Sequence, residues 1–232
     1  MEKTMTGIIR PLAVAALLAF CAGPSVADEA ANVLPSPAVD NEPEQPTETA
    51  VLAGGCFWGM QGVFQHVKGV KRVLAGYSGG ARDTAQYEMV GTGTTGNAES
   101  VQIVFDPKVI SYGQILRIYF SVMDPTTLDY QGPDEGTQYR SEIFYANLDQ
   151  QRIAKAYIAQ LTKAHAFSDP IMTQLGALRG FYPAEVYHQD YLILHPYQPY
   201  IVINDLPKIA KLKRLYPQFY ADKPVRVARN GG

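Results

Sequence analysis

At 232 residues, 47% hydrophobic and 18% charged, the chain has ordinary globular composition and is long enough for one sizeable core. A formal net charge of -2 offers no basic field, which removes the electrostatic case for DNA or RNA binding. Tyr is frequent, with 15 residues; phenols suit a polar site with apolar walls, because the ring packs while the hydroxyl finds a hydrogen-bond partner.

The first stretch reads as processing information. Lys3 and Arg10 precede the apolar run Leu12 to Ala22, and Ser25-Val26-Ala27 places small residues where an export peptidase needs them, so residues 1–27 are expected to be a signal peptide cleaved after Ala27. The expected location is periplasmic or secreted. The alternative is a membrane anchor through an uncleaved N-terminal segment, although the run is short for a bilayer span. Residues 28–48, acidic and proline-bearing with no Lys or Arg, have little to bury and read as a disordered linker.

The domain is expected over residues 49–217. Ala50 to Gly55 reads as a buried strand ending in a glycine turn, and Phe57, Met60, Phe64 and Val67 then recur at helical spacing. Val70 to Tyr77 reads as a strand closed by Ser78-Gly79-Gly80. Gly91 to Gly96 has the spacing of a dinucleotide-binding fingerprint, but no strand-to-helix transition brackets it, so it is expected to be a flexible loop before a strand over Glu99 to Phe105. Ser111 and Gln114 fit a capping box ahead of a helix that stops near Asp124-Pro125. Thr127 to Arg140 is a Gly-, Asp- and Tyr-rich loop, the kind of segment in which function tends to sit.

Ser141 to Ala146 reads as a strand, and Asn147 with Gln150 caps a helix faced by Ile153, Tyr157 and Leu161. Ile171 to Leu178 is a weak strand. Pro183 opens a helix running to His195, and Asp205-Leu206-Pro207 starts a last helix whose Lys208, Lys211, Lys213 and Arg214 form a solvated basic face. Residues 218–232 are expected to be a flexible tail. The fold class is therefore α+β: a single mixed α/β domain, a central sheet with helices packed around it and an irregular C-terminal region.

Of the two Cys, Cys21 lies in the signal, so the mature chain keeps only Cys56 and no intramolecular disulfide is possible. At the start of a helix, Cys56 would meet N–H groups and a dipole that favour a thiolate; the bland reading is a small buried hydrophobe. The four His and this Cys make a poor zinc set, and no metal is expected.

Gly55-Cys56-Phe57-Trp58-Gly59, Gly76-Tyr77-Ser78-Gly79-Gly80, Gly96-Asn97-Ala98-Glu99, Phe105-Asp106-Pro107, Gly136-Thr137-Gln138-Tyr139-Arg140-Ser141 and Tyr187-His188-Gln189 together resemble the A-type peptide methionine sulfoxide reductases. The likeness runs in order from Thr49 to Pro217. It implies that Cys56 attacks the sulfur of a methionine S-sulfoxide, that Phe57 and Trp58 seat its methyl group, and that Glu99 protonates the departing oxygen. Tyr87 and Tyr139 match hydroxyls bonding that oxygen, Asp134 matches an acid that orients water or substrate, and His188 belongs to the substrate site. The products would be methionine and a Cys56 sulfenic acid.

The chain departs from the family pattern in three places. Tyr200 to Gly232 holds none of the resolving Cys often found there, Pro133 stands where Asn is usual, and Val186 where an acid is usual. The expected enzyme has no cofactor and draws on an external thiol, either thioredoxin-like or small such as dithiothreitol. It repairs oxidised proteins or free methionine sulfoxide and is expected to be a monomer. The competing readings are a non-catalytic module that binds oxidised methionine and a thiol-based redox sensor.

Overall fold

Ala50-Val51-Leu52-Ala53 is apolar on both faces, as a strand interior to a covered sheet requires. The computed structural model, which describes residues 33–41 and 45–227, places these residues in β1 (Glu48–Gly54). In chain order there follow α1 (Phe57–Gln65), β2 (Val70–Ser78), α2 (Tyr87–Val90), β3 (Ala98–Phe105), α3 (Tyr112–Val122), β4 (Tyr130–Gln131) and β5 (Asp134–Glu135). Then come β6 (Ser141–Tyr145), α4 (Leu148–Lys163), β7 (Gln174–Ala177), β8 (Phe181–Pro183), α5 (Tyr191–Leu194) and α6 (Leu206–Leu215). The main sheet has the order β7-β6-β1-β3-β2-β8, and β4 pairs with β5 apart from it. Every pairing is antiparallel except β6 with β7. The α+β class expected from the sequence is the class observed.

Period-two alternation divides β1 between two cores. Ala50 and Leu52 join the main one, with Phe57, Met60, Phe64, Val101, Ile115 and Tyr119, whereas Val51 and Ala53 pack with Ala98 and Phe144. Phe57, Met60, Val63 and Phe64 of α1 are fully buried, each contributing about 1.5–3 kcal/mol by leaving water. Tyr119 of α3 donates to the Ala53 carbonyl at 2.6 Å, which ties the end of β1 to the helical layer.

Four expectations are corrected. Residues 33–41 do not hang free: Arg117 donates to the Leu34 carbonyl, Tyr157 to that of Pro35 and Gln160 to that of Ser36, and Asp40 accepts from Ser111 and from the Gly113 N–H at the start of α3. The helix expected from Pro183 to His195 is broken into β8, a 3-10 turn at Val186–His188 and α5. The break has a cause: Asp190 takes a left-handed backbone (φ 59), and the Gln189 side chain bonds both backbone groups of Ala75, extending the sheet with an amide. Residues 218–227 are docked, with Lys68 N–H bonding Phe219 O, Ala221 N–H bonding His66 O and Val225 N–H bonding Gln65 O. The weak strand near 171–178 contracts to β7. The signal-peptide expectation, residues 1–27, lies outside the described residues; among the described residues no helix is long and apolar enough to cross a membrane.

Candidate active site

β1 and β3 run antiparallel with Ala53 opposite Ser100, so the end of β1 and the start of β3 meet at one edge. Gly54 and Gly55 turn the chain there into α1. Gly55 has φ +83, and a Cβ on it would come 2.6 Å from the Gln131 Cβ, a position only glycine fits. Cys56 is the N-cap residue of α1. Glu99, one residue before Ser100, accepts the Phe57 N–H at 2.9 Å through Oε2, capping the first turn of the helix with a carboxyl.

The loops then close over this edge. Thr137 donates to the Gly93 carbonyl at 2.6 Å, Gln138 to that of Gly91 at 3.4 Å and Arg140 to that of Gly96 at 3.0 Å. The glycine pattern over 91–96 is thus a cradle of carbonyls for the turn that carries Tyr139. On the other side, Glu185 accepts the Tyr87 N–H at 3.0 Å and the Tyr77 hydroxyl at 2.9 Å, which holds α2 and its Tyr87 toward the same edge.

The result is a cleft of about 170 Å³ lined by Cys56, Phe57, Trp58, Tyr87, Glu99, Asp134, Tyr139 and Tyr200. That is below the roughly 300–1,000 Å³ of pockets for drug-sized ligands, and suits a single side chain. Seven of the eight residues singled out from the sequence line it. The eighth, His188, is a correction: instead of lining the cleft, it is buried behind its wall. Trp58 Nε1 donates to His188 Nδ1 at 3.1 Å, and the His188 ring packs on Phe57 and Tyr87 at 5.0 and 4.4 Å between centroids. Burial lowers its pKa, so it is the neutral acceptor that an indole N–H requires. Tyr191 stacks on Trp58, with ring centroids 3.9 Å apart.

Burial dominates the electrostatics. It lifts the Glu99 carboxyl from 4.5 to about 8, against the Phe57 N–H bond and helped by Asp134 and Asp205, so Glu99 is protonated at neutral pH. It lifts the Tyr87 hydroxyl to about 12 and that of Tyr139 higher still, leaving both as neutral donors. The thiolate expected from the helix N-terminus is also corrected. Cys56 is 7% exposed; burial first, then Glu99 and Asp205, push its thiol up, while the Trp58 N–H and Lys208 oppose them. The resting site therefore pairs a thiol with a carboxylic acid, and the helix N-terminus only moderates the desolvation of the sulfur. Among the described residues no cluster of His, Cys, Asp and Glu could hold a metal ion.

Sequence reasoning misses four participants. Tyr200 donates to Asp134 Oδ2 and lines the cleft; Glu185 positions Tyr87; Asp205 and Lys208 form an ion pair at 3.0 Å. The expectation of a solvated face for Lys208 is thereby corrected. Its spacing of three from Asp205 is the one signal that could have paired them.

Comparison with known proteins gives the site its context. The family model for peptide methionine sulfoxide reductase matches residues 48–219. A peptide methionine sulfoxide reductase of Mesorhizobium japonicum is 58% identical over 190 residues, covering 82% of this chain and 97% of that protein. One of Synechocystis is 46% identical over 204 residues, covering 86% and 95%. Among solved structures, methionine sulfoxide reductase A of Corynebacterium diphtheriae superposes with a TM-score of 0.57 at 32% identity over 68% of this chain and 81% of that one. Reduced Mxr1 of Saccharomyces cerevisiae gives 0.59 at 31% over 69% and 92%. The chain belongs to the peptide methionine sulfoxide reductase family and is a thiol-dependent oxidoreductase that reduces methionine sulfoxide.

Proposed function

We propose that Cys56 is the nucleophile of this reduction and that the cleft takes the S epimer of methionine sulfoxide, with Phe57 and Trp58 seating the methyl group. The observation that carries the reading is the pairing of Cys56 with a protonated, buried Glu99 across the first turn of α1. Cys56 Sγ attacks the sulfoxide sulfur while Glu99 gives its proton to the oxygen, general acid catalysis by a carboxyl tuned near the working pH. Tyr87 and Tyr139 donate to that oxygen as its charge grows. Asp134, held by Tyr200, orients the polar part of the substrate. The oxygen, now a hydroxyl, passes from the substrate sulfur to Sγ as the new sulfur–sulfur bond breaks, giving methionine and a Cys56 sulfenic acid; the thiol proton replaces the one given up by Glu99, so the step balances.

Recovery then falls to an external thiol. One thiol displaces water from the sulfenic acid to give a mixed disulfide, and a second releases the Cys56 thiol and an external disulfide. A thioredoxin-like protein or a small thiol fits this role because the sequence contains no Cys after Cys56. We place the enzyme outside the cytoplasm on the strength of the N-terminal pattern, to be checked by fractionation. Reduction of each pure epimer with dithiothreitol tests the chemistry. Turnover of S alone, abolished by Cys56→Ser, is expected. Equal turnover of both epimers, or an active Cys56→Ser, defeats the reading.

A further inference from the structure

The C-terminal helix brings a charge pair to the first turn of α1, and the proposed reaction uses neither member. Asp205 ends a π-helical stretch (Ile201–Asp205) and Lys208 lies in the first turn of α6. Lys208 Nζ donates to Asp205 Oδ1 at 3.0 Å. Asp205 is 0% exposed, and its Oδ2 has no hydrogen-bond partner. The pair lies against Gly59, where a Cβ would stand 2.1 Å from Asp205 Oδ1 and 3.0 Å from Lys208 Nζ. Gly59 follows Cys56 by three residues, and residues so spaced share a helix face about 5–6 Å apart. The absent side chain of Gly59 is what lets a carboxylate and an ammonium stand against the first turn of the helix that Cys56 caps.

We propose that Asp205 and Lys208 are a positioning pair for Cys56: Lys208 supplies the positive charge that balances the thiolate during attack, and Asp205 both holds Lys208 there and limits thiolate formation at rest. The inference rests on Cys56 being the nucleophile. It has a functional reason: a protonated resting thiol reacts slowly with oxidants, and with no Cys after Cys56 the C-terminal region offers no internal route back from the sulfenic acid.

The two members act on the sulfur with opposite sign. Removing one member of a buried pair leaves the other uncompensated, so each single variant exposes its partner's charge to Cys56. Glu99 from β3, Asp134 from the β4–β5 hairpin, and Tyr87, Tyr139 and Tyr200 face the same site. They are common to every variant, so the direction of change reports on the pair itself.

The test is the pH dependence of Cys56 alkylation by iodoacetamide in the full chain. Asp205→Asn should move the midpoint down by about one pH unit, and Lys208→Gln should move it up by about as much, roughly tenfold in rate at a fixed pH below the midpoints. Lys208→Arg and the double variant should stay near the parent. Shifts of the two single variants in the same direction, or no shift in either, overturn the pair. Asp205→Asn preserves shape and decides alone if Lys208→Gln does not fold, a midpoint at or above the parent's being the refuting result. Alkylation reads the thiol without sulfoxide turnover. An inactive Cys56→Ser with unshifted alkylation in the pair variants overturns this inference alone, whereas an active Cys56→Ser overturns the reading of Cys56.

Discussion

Replacing Glu99 by Gln should slow the reaction and stabilise the protein at the same time. Glu99 is 4% exposed, and burial lifts its carboxyl from 4.5 to about 8. The folded chain therefore keeps a proton that the unfolded chain releases between those values, so stability falls as pH rises through that window. At ~1.4 kcal/mol per unit, a rise from 4.5 to about 8 removes roughly 5 kcal/mol once the pH passes the folded value. Gln has the same shape, is neutral at every pH, and keeps an oxygen to accept the Phe57 N–H, so it escapes this loss.

Urea unfolding from about pH 5 to about pH 9 should show a flatter stability profile for Glu99→Gln and a gain of a few kcal/mol over the parent at the alkaline end. Gln has no proton to give to the sulfoxide oxygen, so kcat/KM for methionine S-sulfoxide should fall by about 10²–10⁴-fold. The parental decline of kcat/KM near pH 8, where Glu99 ionises, should vanish with it. An unchanged slope of stability against pH, or an alkaline limb that survives in Glu99→Gln, would refute the assignment of a buried protonated acid.

Tyr200→Phe removes the hydroxyl that donates to Asp134 and that opposes the upward push of burial on its carboxyl. The acid limb of kcat/KM should move to higher pH, and a pH–rate profile that superposes on the parent's would dismiss the contact. Gln189→Ala deletes bonds to Ala75 N–H, Ala75 O, Ala184 O and the Gln61 side chain and leaves the buried Ala75 N–H without its acceptor, while the Ala75 carbonyl keeps the Ala184 N–H, at a cost of about 1–3 kcal/mol. A thermal midpoint several degrees lower is expected, and an unaltered one would show that water replaces the amide.

The strand, glycine turn and helix around Cys56 are legible in the sequence because their signals are local. Apolar alternation, the paired glycines and the helical recurrence of Phe57, Met60 and Phe64 all act within one turn of their own position. The caps at Ser111 and Asn147 are legible for the same reason, and each accepts the N–H three residues on. Glu99 and the two tyrosines are recognisable only through motif resemblance, since nothing within a few residues of Glu99 announces that its carboxyl is buried.

The segments that defeat local reading share the opposite property. Pro183 to His195 reads locally as a helix, but Gln189 completes β2 from more than a hundred residues away, and that contact outweighs local propensity. Residues 33–41 look unable to bury anything, yet their carbonyls meet donors on α3 and α4. The basic face of the last helix looks solvated, yet Lys208 turns inward to a fully buried Asp205.

What the sequence determined by itself, then, was that a thiol stands at the start of a helix after a tight turn, and which family's reaction that thiol serves. Tertiary structure alone decided the protonation of that thiol. The expectation of a lowered pKa considered only the helix to which Cys56 belongs, whereas desolvation and the charges of Glu99, Asp205 and Lys208 arrive from β3 and from the C-terminal helix. Coulomb interactions and burial depend on distance in space, and that distance exists only once the chain has folded.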